Sequence, residues 1–235
     1  MIGFDRPIRP EWIYEILKVM KIGDKPEIYN DIFANIAKEL IGKEGKRKAR
    51  TVIYRSFIYN FQNGRGNIEN NIFFELSKKH NLSYLKPLFL INLILSHDAL
   101  LFFVDKLKIS FTSHDTISSS ALSDKMVFKY GDRDVVKRSV RAFLKTLCHF
   151  DVMVESSKQE FRLLKKYELS DEQVRDFILI YSSAYLKSEF LNIMDMDKRA
   201  LFFCEDIDFL SVAKKFHGAN WEFIRDGHRN ILLVK

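Results

Sequence analysis

The stretch that most constrains the fold of this 235-residue chain is an apolar run from Pro87 to Val104, PLFLINLILSHDALLFFV. A run of this length has to be buried, either in a protein core or in a bilayer. Its middle carries Ser96, His97 and Asp98, and an aspartate at the centre of a bilayer costs roughly 2.5 to 3.5 kcal/mol. We therefore interpret the run as part of one buried core helix over residues 82–107. Insertion into a membrane is the less favoured interpretation.

The composition favours helices joined by short loops. Apolar residues make up 47% of the chain, Phe alone contributes 21, and Gly and Pro number only nine and four, which argues against disorder. Apolar residues at helical spacing predict further helices over residues 11–20, 26–41, 46–61 and 68–80. In the second of these helices, the spacing places five apolar residues on one face: Ile28, Ile32, Ile36, Ala37 and Leu40. The predicted fold is mainly α and multi-helical.

A Ser/Thr-rich stretch from Ser110 to Ser120 predicts a connector and an internal boundary. We expect an N-terminal helical domain over residues 1–109 and a second domain over residues 110–235. In the second domain the pattern predicts helices over 171–193, with Ser170 as the N-cap, and over 197–204 and 207–217. The tail alternates apolar and polar residues around Asp226-Gly227, which is typical of a β-hairpin.

One helix carries the strongest functional signal. Gly131 and Asp132 predict a break and an N-cap before a helix that runs to His149. Its apolar residues fall on one face: Val136, Val140, Phe143, Leu144 and Leu147. A stripe of basic residues lies beside that face: Arg133, Lys137, Arg141 and Lys145, with Arg138 next to them. Such a helix can pack on a core through one side and offer cations to a polyanion through the other.

A short hairpin is predicted directly after this helix. Residues 152–155 and 160–164 have β character, a polar turn lies between them, and a shorter helix over 119–127 precedes the basic one. This order is typical of a winged helix-turn-helix, here over residues 118–166, in which the second helix enters the major groove. Lys158 at the tip of the wing suits a phosphate or minor-groove contact. A solvated charged face or a protein-interaction module gives the same pattern.

A second basic cluster lies on the turn and helix that follow residue 41. Its members are Lys43, Lys46, Arg47, Lys48, Arg50 and Arg55. The cluster predicts a helix-turn-helix-like DNA contact or a phosphate clamp. The alternative is a solvated helix start, although cations at a helix N-terminus oppose the helix dipole.

The chain lacks the signatures of the common enzyme classes. It has no GxxxxGK[ST] phosphate loop, no HExxH and no nucleophile elbow. Cys148 and Cys204 form no CxxC pattern, which favours a reducing cytoplasm over a disulfide framework or a zinc site. Charges and prolines in the first ten residues argue against a signal peptide. We expect a cytoplasmic, non-enzymatic protein without catalytic residues, metal or cofactor.

Four segments carry a family resemblance: KARTVIYRSFIYNF, LKPLFLINLILSHDALLFFVDKL, DVVKRSVRAFLKTLCHFDVM and FLSVAKKFHGANW. On these segments the chain resembles the BrxA family, small accessory proteins of BREX phage-defence systems. The third segment looks like the winged-helix portion of that family. Its members are helical, non-catalytic and DNA-binding, and the resemblance implies the same here. It also implies contacts at the early basic cluster and at Lys137, Arg138 and Arg141.

The sequence as a whole predicts a DNA-binding accessory or regulatory protein. A net charge of +7 fits a polyanionic partner. Duplex DNA is the expected partner, other defence-system proteins are further partners, and no membrane is involved. The alternatives are an RNA-binding helical protein and a scaffold whose basic faces meet acidic surfaces of other proteins.

Overall fold

A computed structural model describes residues 4–234 and confirms the mainly α fold, with ten α-helices and two three-stranded sheets in that range. The first six helices are α1 (Pro10–Val19), α2 (Asn30–Ile36), α3 (Lys43–Phe57), α4 (Ile72–Lys79), α5 (Leu82–Leu95) and α6 (Asp98–Phe111). The middle of the chain contains β1 (Ile117–Ser118), α7 (Ser119–Tyr130), α8 (Asp134–His149), β2 (Met153–Ser157) and β3 (Glu160–Leu163). The last elements are α9 (Asp171–Tyr181), β4 (Phe190–Asn192), α10 (Phe209–Lys215), β5 (Trp221–Asp226) and β6 (Arg229–Val234).

The apolar run forms two helices, and the prediction of one helix over residues 82–107 is wrong. α5 ends at Leu95, α6 begins at Asp98, and their axes differ by 106°. The polar residues in the middle of the run cause the break, because Ser96 turns its hydroxyl to Ser56 while His97 adopts extended backbone angles. Within residues 4–234 no single helix has the length and apolar character needed to cross a bilayer, and only α5 and α6 taken together pass that test.

The second predicted helix is shorter than expected and buries another face. A 3₁₀ turn over Pro26–Tyr29 precedes α2, which ends at Ile36 and not at residue 41. Ile28 and Ile32 are 62% and 39% exposed, whereas Phe33 is fully buried. Tyr29, Phe33 and Ala37 also repeat every four residues, and the aromatic rings bury more apolar surface than the isoleucines. The predicted face is therefore wrong for Ile28 and Ile32, whereas Ala37 is buried as predicted and Ile36 and Leu40 pack against the core.

The early basic cluster lies inside a helix and not on a turn before it. Gly42 has φ +81°, a backbone angle that glycine adopts without strain, and α3 begins at the next residue. Gly45 is therefore a buried residue of the first helical turns, and α3 ends at Phe57 and not at residue 61. The basic side chains are distributed around α3 and do not all point to one ligand.

The segment that sequence analysis singled out consists of two helices and a sheet. Ser118 caps α7 by accepting a hydrogen bond from the Ala121 amide, and Gly131 ends α7 with φ +87°. β2 and β3 form a hairpin after α8, as predicted, and β1 pairs with β3, so the strand order is β1-β3-β2. Asp132 is not the N-cap of α8. Arg133 occupies that position, and its side chain makes no capping hydrogen bond.

The C-terminal third differs most from the sequence prediction. Ser170 caps α9 as predicted, with Gln173 completing a capping box. However, α9 ends at Tyr181, a π-helical turn follows, and residues 190–192 form β4 where helix was expected. The predicted helix over 197–204 is only a 3₁₀ turn, Lys198–Leu201, and that over 207–217 shortens to α10. The predicted hairpin is present as β5 and β6, with β4 as the third strand.

A single cluster of buried side chains extends from Phe4 to Leu232 and includes residues from both sides of the predicted boundary at 109/110. That boundary falls in the last turn of α6. At the start of α6, His97 is 6% exposed, and its Nε2 lies 3.0 Å from the Ser56 hydroxyl. Burial, assisted by the nearby charge of Arg55, lowers the pKa of His97 to about 4.

The burial of His97 predicts a pH-dependent stability. Between pH 6.5 and about 4 the unfolded chain binds a proton at His97 that the folded protein does not bind. Stability is therefore present in full above pH 6.5 and falls by about 3 kcal/mol as the pH approaches 4. Urea unfolding as a function of pH measures this loss, and His97→Gln should show a flatter profile than the wild type below pH 6.5. His114→Gln is the control because His114 is exposed; parallel profiles for all three proteins contradict the assignment.

Candidate functional site

The basic stripe of α8 borders a cleft of about 350 Å³ between α7, α8 and the β2–β3 hairpin. Three of the five predicted stripe residues line this cleft: Lys137, Arg141 and Lys145. The opposite wall includes serines and Asp124 from the first turns of α7, and Glu155 and Gln159 from the hairpin. None of these wall residues was predicted from the sequence, although the run of serines before α7 could have indicated a helix start rich in hydrogen-bond donors.

The packing of α8 fixes which way these cations point. All five apolar residues predicted to face the core are 1% exposed or less: Val136, Val140, Phe143, Leu144 and Leu147. Ser139 and Thr146 complete the buried face by donating to backbone carbonyls four residues earlier in the helix. Because this face is held by the core, the basic stripe remains in solvent along the length of the helix.

Two cations of the cleft are paired within the protein. Lys137 Nζ lies 2.6 Å from Asp132 Oδ1, and this hydrogen bond raises the pKa of Lys137. Lys145 Nζ lies 2.5 Å from Glu155 Oε2 and lowers the pKa of that carboxyl. The side chains of both lysines are about half exposed. Ion pairs in such positions contribute little to stability, so an external anion can replace either carboxylate.

Arg141, Lys158 and Arg133 form fewer contacts with the protein's own groups than the two paired lysines do. Arg141 forms no ion pair or side-chain hydrogen bond with any residue in 4–234. Lys158 lies in the exposed turn between β2 and β3, at the predicted position, and is likewise unpaired within that range. Arg133 donates a hydrogen bond to the Tyr130 carbonyl at 2.9 Å, where the chain passes from α7 to α8. Arg141 and Lys158 are thus the cations most available to a ligand.

Lys46 and Arg47 of the α3 cluster bind other groups within the protein. Lys46 Nζ donates to the Ala34 carbonyl at 2.7 Å, near the C-terminal end of α2, where a cation is favoured. Arg47 forms a two-pronged contact with Glu44, at 2.9 and 2.6 Å, and this bond lowers the pKa of Glu44. The ammonium of Lys46 therefore stabilises the junction between α2 and α3, and its contact to an external ligand requires that bond to break.

Asp5, which sequence analysis did not select, lies between the two predicted basic clusters. Its side chain is only 8% exposed; Oδ2 is 2.8 Å from Lys48 Nζ of α3 and 3.7 Å from Arg138 Nε of α8. Neighbouring residues fix its position, because Phe4 packs edge-on against Phe143 and the Ile8 amide donates to Thr146 Oγ1. The carboxylate therefore connects the α3 cluster to the α8 stripe. No sequence signal marks this contact, which joins residues far apart in the chain.

The other side of α3 presents a polar cleft of about 220 Å³. Arg50 and Arg55 line it, as does Arg65 from the loop after α3. The Arg65 guanidinium lies 5.8 Å from the centre of the Tyr59 ring. Arg65 was not predicted as a site residue, because the surrounding sequence indicates only a loop. Arg55 also lines the cleft that contains Asp5, so the two clefts adjoin along α3 and the predicted α3 cluster extends across both.

Asp5 also allows the role of charge in this region to be tested. Asp5→Asn leaves Lys48 and Arg138 without their carboxylate, which should destabilise the fold by roughly 1 to 3 kcal/mol while making two cations available to a polyanion. The variant should therefore melt earlier but elute later in a salt gradient from immobilised heparin. Differential scanning calorimetry and heparin chromatography measure the two effects.

Asp206→Asn is the matched control for this experiment. It changes the net charge equally, and the exposed Asp206 side chain forms no hydrogen bond or ion pair with other residues in 4–234. If Asp206→Asn elutes as late as Asp5→Asn, net charge alone explains the shift, and the two freed cations are not a binding site.

No match to this chain was found among protein-family models, curated proteins or solved structures. Across residues 4–234, no group of three or more His, Cys, Asp or Glu side chains has an arrangement that could hold a metal ion. The clefts beside α8 and α3 are lined in part by lysine, arginine and hydroxyl side chains, which can bind anions.

Proposed function

We propose that this chain is a non-enzymatic, duplex-DNA-binding accessory or regulatory protein in which α7, α8 and the β2–β3 hairpin form a winged helix-turn-helix. The observation that carries the proposal is the order of elements: two helices joined by a short turn, then a hairpin, with β1 closing a sheet of order β1-β3-β2. α8 is the recognition helix, and the hairpin is the wing. In such modules, flanking cations contact phosphates while the recognition helix enters the major groove.

The contacts of the α8 and hairpin cations support a binding mode in which DNA phosphates replace the protein's own carboxylates. Arg141 and Lys158 are free to contact phosphates at once, whereas Lys137 and Lys145 first leave Asp132 and Glu155. Both of those pairs are exposed, so their loss is readily offset by a phosphate at the same distance. Binding should therefore depend steeply on salt and only modestly on base sequence, because most contacts go to the backbone.

The α3 cluster extends the proposed surface. Asp5 holds Lys48 of α3 close to Arg138 of α8, so cations from both helices can follow one duplex. Arg47, Arg55 and Arg6 border the same cleft around Asp5. These residues lie outside the proposed recognition helix and would contribute affinity without sequence preference.

The biological setting proposed here is a BREX-like phage-defence locus, on the resemblance to the BrxA family. A DNA-binding accessory protein with no catalytic machinery fits that setting, because other components supply the chemistry. Genes for a methyltransferase and a large ATPase next to this one are the expected observation. Their absence would remove the defence setting without affecting the DNA-binding proposal.

Charge reversal on α8 tests the DNA-binding proposal directly. Lys137→Glu/Arg141→Glu should weaken binding to a 20-base-pair duplex at least tenfold at 50 mM salt. The slope of log affinity against log salt should fall by about two, since each phosphate contact contributes about 0.9. Fluorescence anisotropy at several salt concentrations gives both values.

Lys78→Glu/Lys214→Glu is the matched control, because both lysines are exposed, unpaired within residues 4–234 and outside the proposed surface. The proposal fails if both double variants bind alike, or if the α8 variant binds as well as the wild type. Competition between the duplex and a structured RNA of equal length separates DNA from RNA binding. A protein that binds neither at low salt is a scaffold and not a nucleic-acid-binding protein.

A further inference from the structure

An apolar surface without a partner lies where α6 and α7 meet, in a cleft of about 510 Å³. Phe128 of α7 is 94% exposed and Ile109 of α6 is 56% exposed, and the half-buried ring of Phe102 lines the same cleft. Large apolar side chains so exposed contribute almost nothing to folding. Grouped in one concavity, they are typical of a binding surface.

The fold of α7 gives no reason for Phe128 to be aromatic. α7 packs on the core through Leu122 and Met126, both fully buried. Phe128 follows Met126 by two positions and therefore points to the opposite side of the helix. Because it makes no ring contact with another residue in 4–234, its side chain is available to a partner.

Lysines surround this apolar surface. Lys106 Nζ and Lys129 Nζ lie 4.8 and 5.9 Å from the centre of the Phe102 ring. Lys125 Nζ donates to Ser110 Oγ at 2.7 Å on the same side of α7. Asp124 is the one carboxylate among the residues that line the cleft, so the surface is both apolar and positively charged.

We propose that the cleft between α6 and α7 binds an acidic segment of another protein, in which an aromatic or aliphatic residue lies between carboxylates. Such a segment inserts its apolar side chain beside Phe128 and Ile109 while its carboxylates meet the three lysines. A second copy of this chain fits poorly, because it would bring lysines against lysines. Duplex DNA supplies phosphates, but it offers Phe128 an apolar surface only where base steps are unstacked at a free-energy cost. The concave shape suits an inserted side chain better than a flat bilayer.

This surface adjoins the proposed DNA-binding surface but offers different residues. Ser119, Ser120 and Ser123 of α7 line the cleft beside α8, whereas Lys125 and Phe128 line the cleft beside α6. Asp124 lines both clefts, but the lysines and apolar residues proposed to bind the acidic segment line only the second one. An acidic partner bound at α6 and α7 therefore leaves the α8 stripe accessible, and the protein could hold DNA and a partner at the same time.

The test uses a panel of fluorescein-labelled twelve-residue peptides in which Asp and Glu alternate in varied order with Leu and Phe. Fluorescence polarisation should detect binding to the wild type that weakens with salt. Phe128→Ser and Lys125→Glu/Lys129→Glu should each reduce the affinity at least tenfold without changing the circular dichroism spectrum. Phe190→Ser, which removes another exposed phenylalanine (63% exposed) from β4, is the matched control and should bind like the wild type.

Several outcomes would overturn the proposal: no peptide in the panel binds, Phe128→Ser binds as tightly as the wild type, or peptides with Lys in place of the acidic residues bind equally well. Phe128-dependent binding to vesicles of phosphatidylglycerol and phosphatidylcholine, without peptide binding, assigns the surface to a membrane. Phe128-dependent self-association in sedimentation velocity assigns it to a second copy. Duplex binding by Phe128→Ser should equal that of the wild type, so this proposal and the proposed function can fail separately.

Discussion

The polar contacts at the break between α5 and α6 fix the direction of α6 and thereby the position of the helices that follow it. Asn92 Nδ2 donates to the Ser56 carbonyl at 2.9 Å, Ser96 Oγ donates to Ser56 Oγ at 2.9 Å, and Tyr185 donates to Asn92 Oδ1 at 2.8 Å. These bonds satisfy buried groups that would otherwise be costly. They connect α3, α5 and the π-helical turn after α9 at the point where the chain changes direction by 106°. α6 begins at this break and supports α7. The position of α7 and α8 therefore depends on these hydrogen bonds.

The N-terminal segment is a second stabilising element, and it adds contacts to α6 and α8, which also pack on each other through Phe103 and Phe143. Phe4 packs edge-on against both His97 and Phe143, so it touches the start of α6 and the middle of α8. The next residue, Asp5, adds the charge contacts to Lys48 and Arg138. A buried carboxylate between cations is tolerated because its partners are on both sides. The relative position of the two basic surfaces is therefore set by residues before α1.

The buried face of α8 could be predicted from the sequence, because its apolar residues exclude any other helical face. For α2, two sets of residues at the same spacing competed, and side-chain size decided between them: Phe33 is buried and Ile32 is not. The break at His97 did not follow from hydropathy alone, because the polar residues from Ser96 to Asp98 are compatible with a continuous buried helix as well as with a break. Asp5 was not predictable either, since its hydrogen bond to Lys48 spans 43 residues. Local sequence patterns thus predict which face of a helix is buried, whereas the contacts that organise the candidate site arise from the tertiary fold.

The partner of each cation matters more for the candidate site than the net charge does. By sequence α3 is more basic than α8, with six Lys and Arg residues against four. Yet the ammonium of Lys46 is bound to a carbonyl within the fold, and Lys48 is bound to a carboxylate that is nearly buried. Releasing either costs a buried or half-buried contact. On α8 the competing carboxylates are exposed, and Arg141 has no competitor within residues 4–234. If a polyanion binds, it should therefore engage α8 first, with α3 contributing only after the duplex is already held close to Asp5.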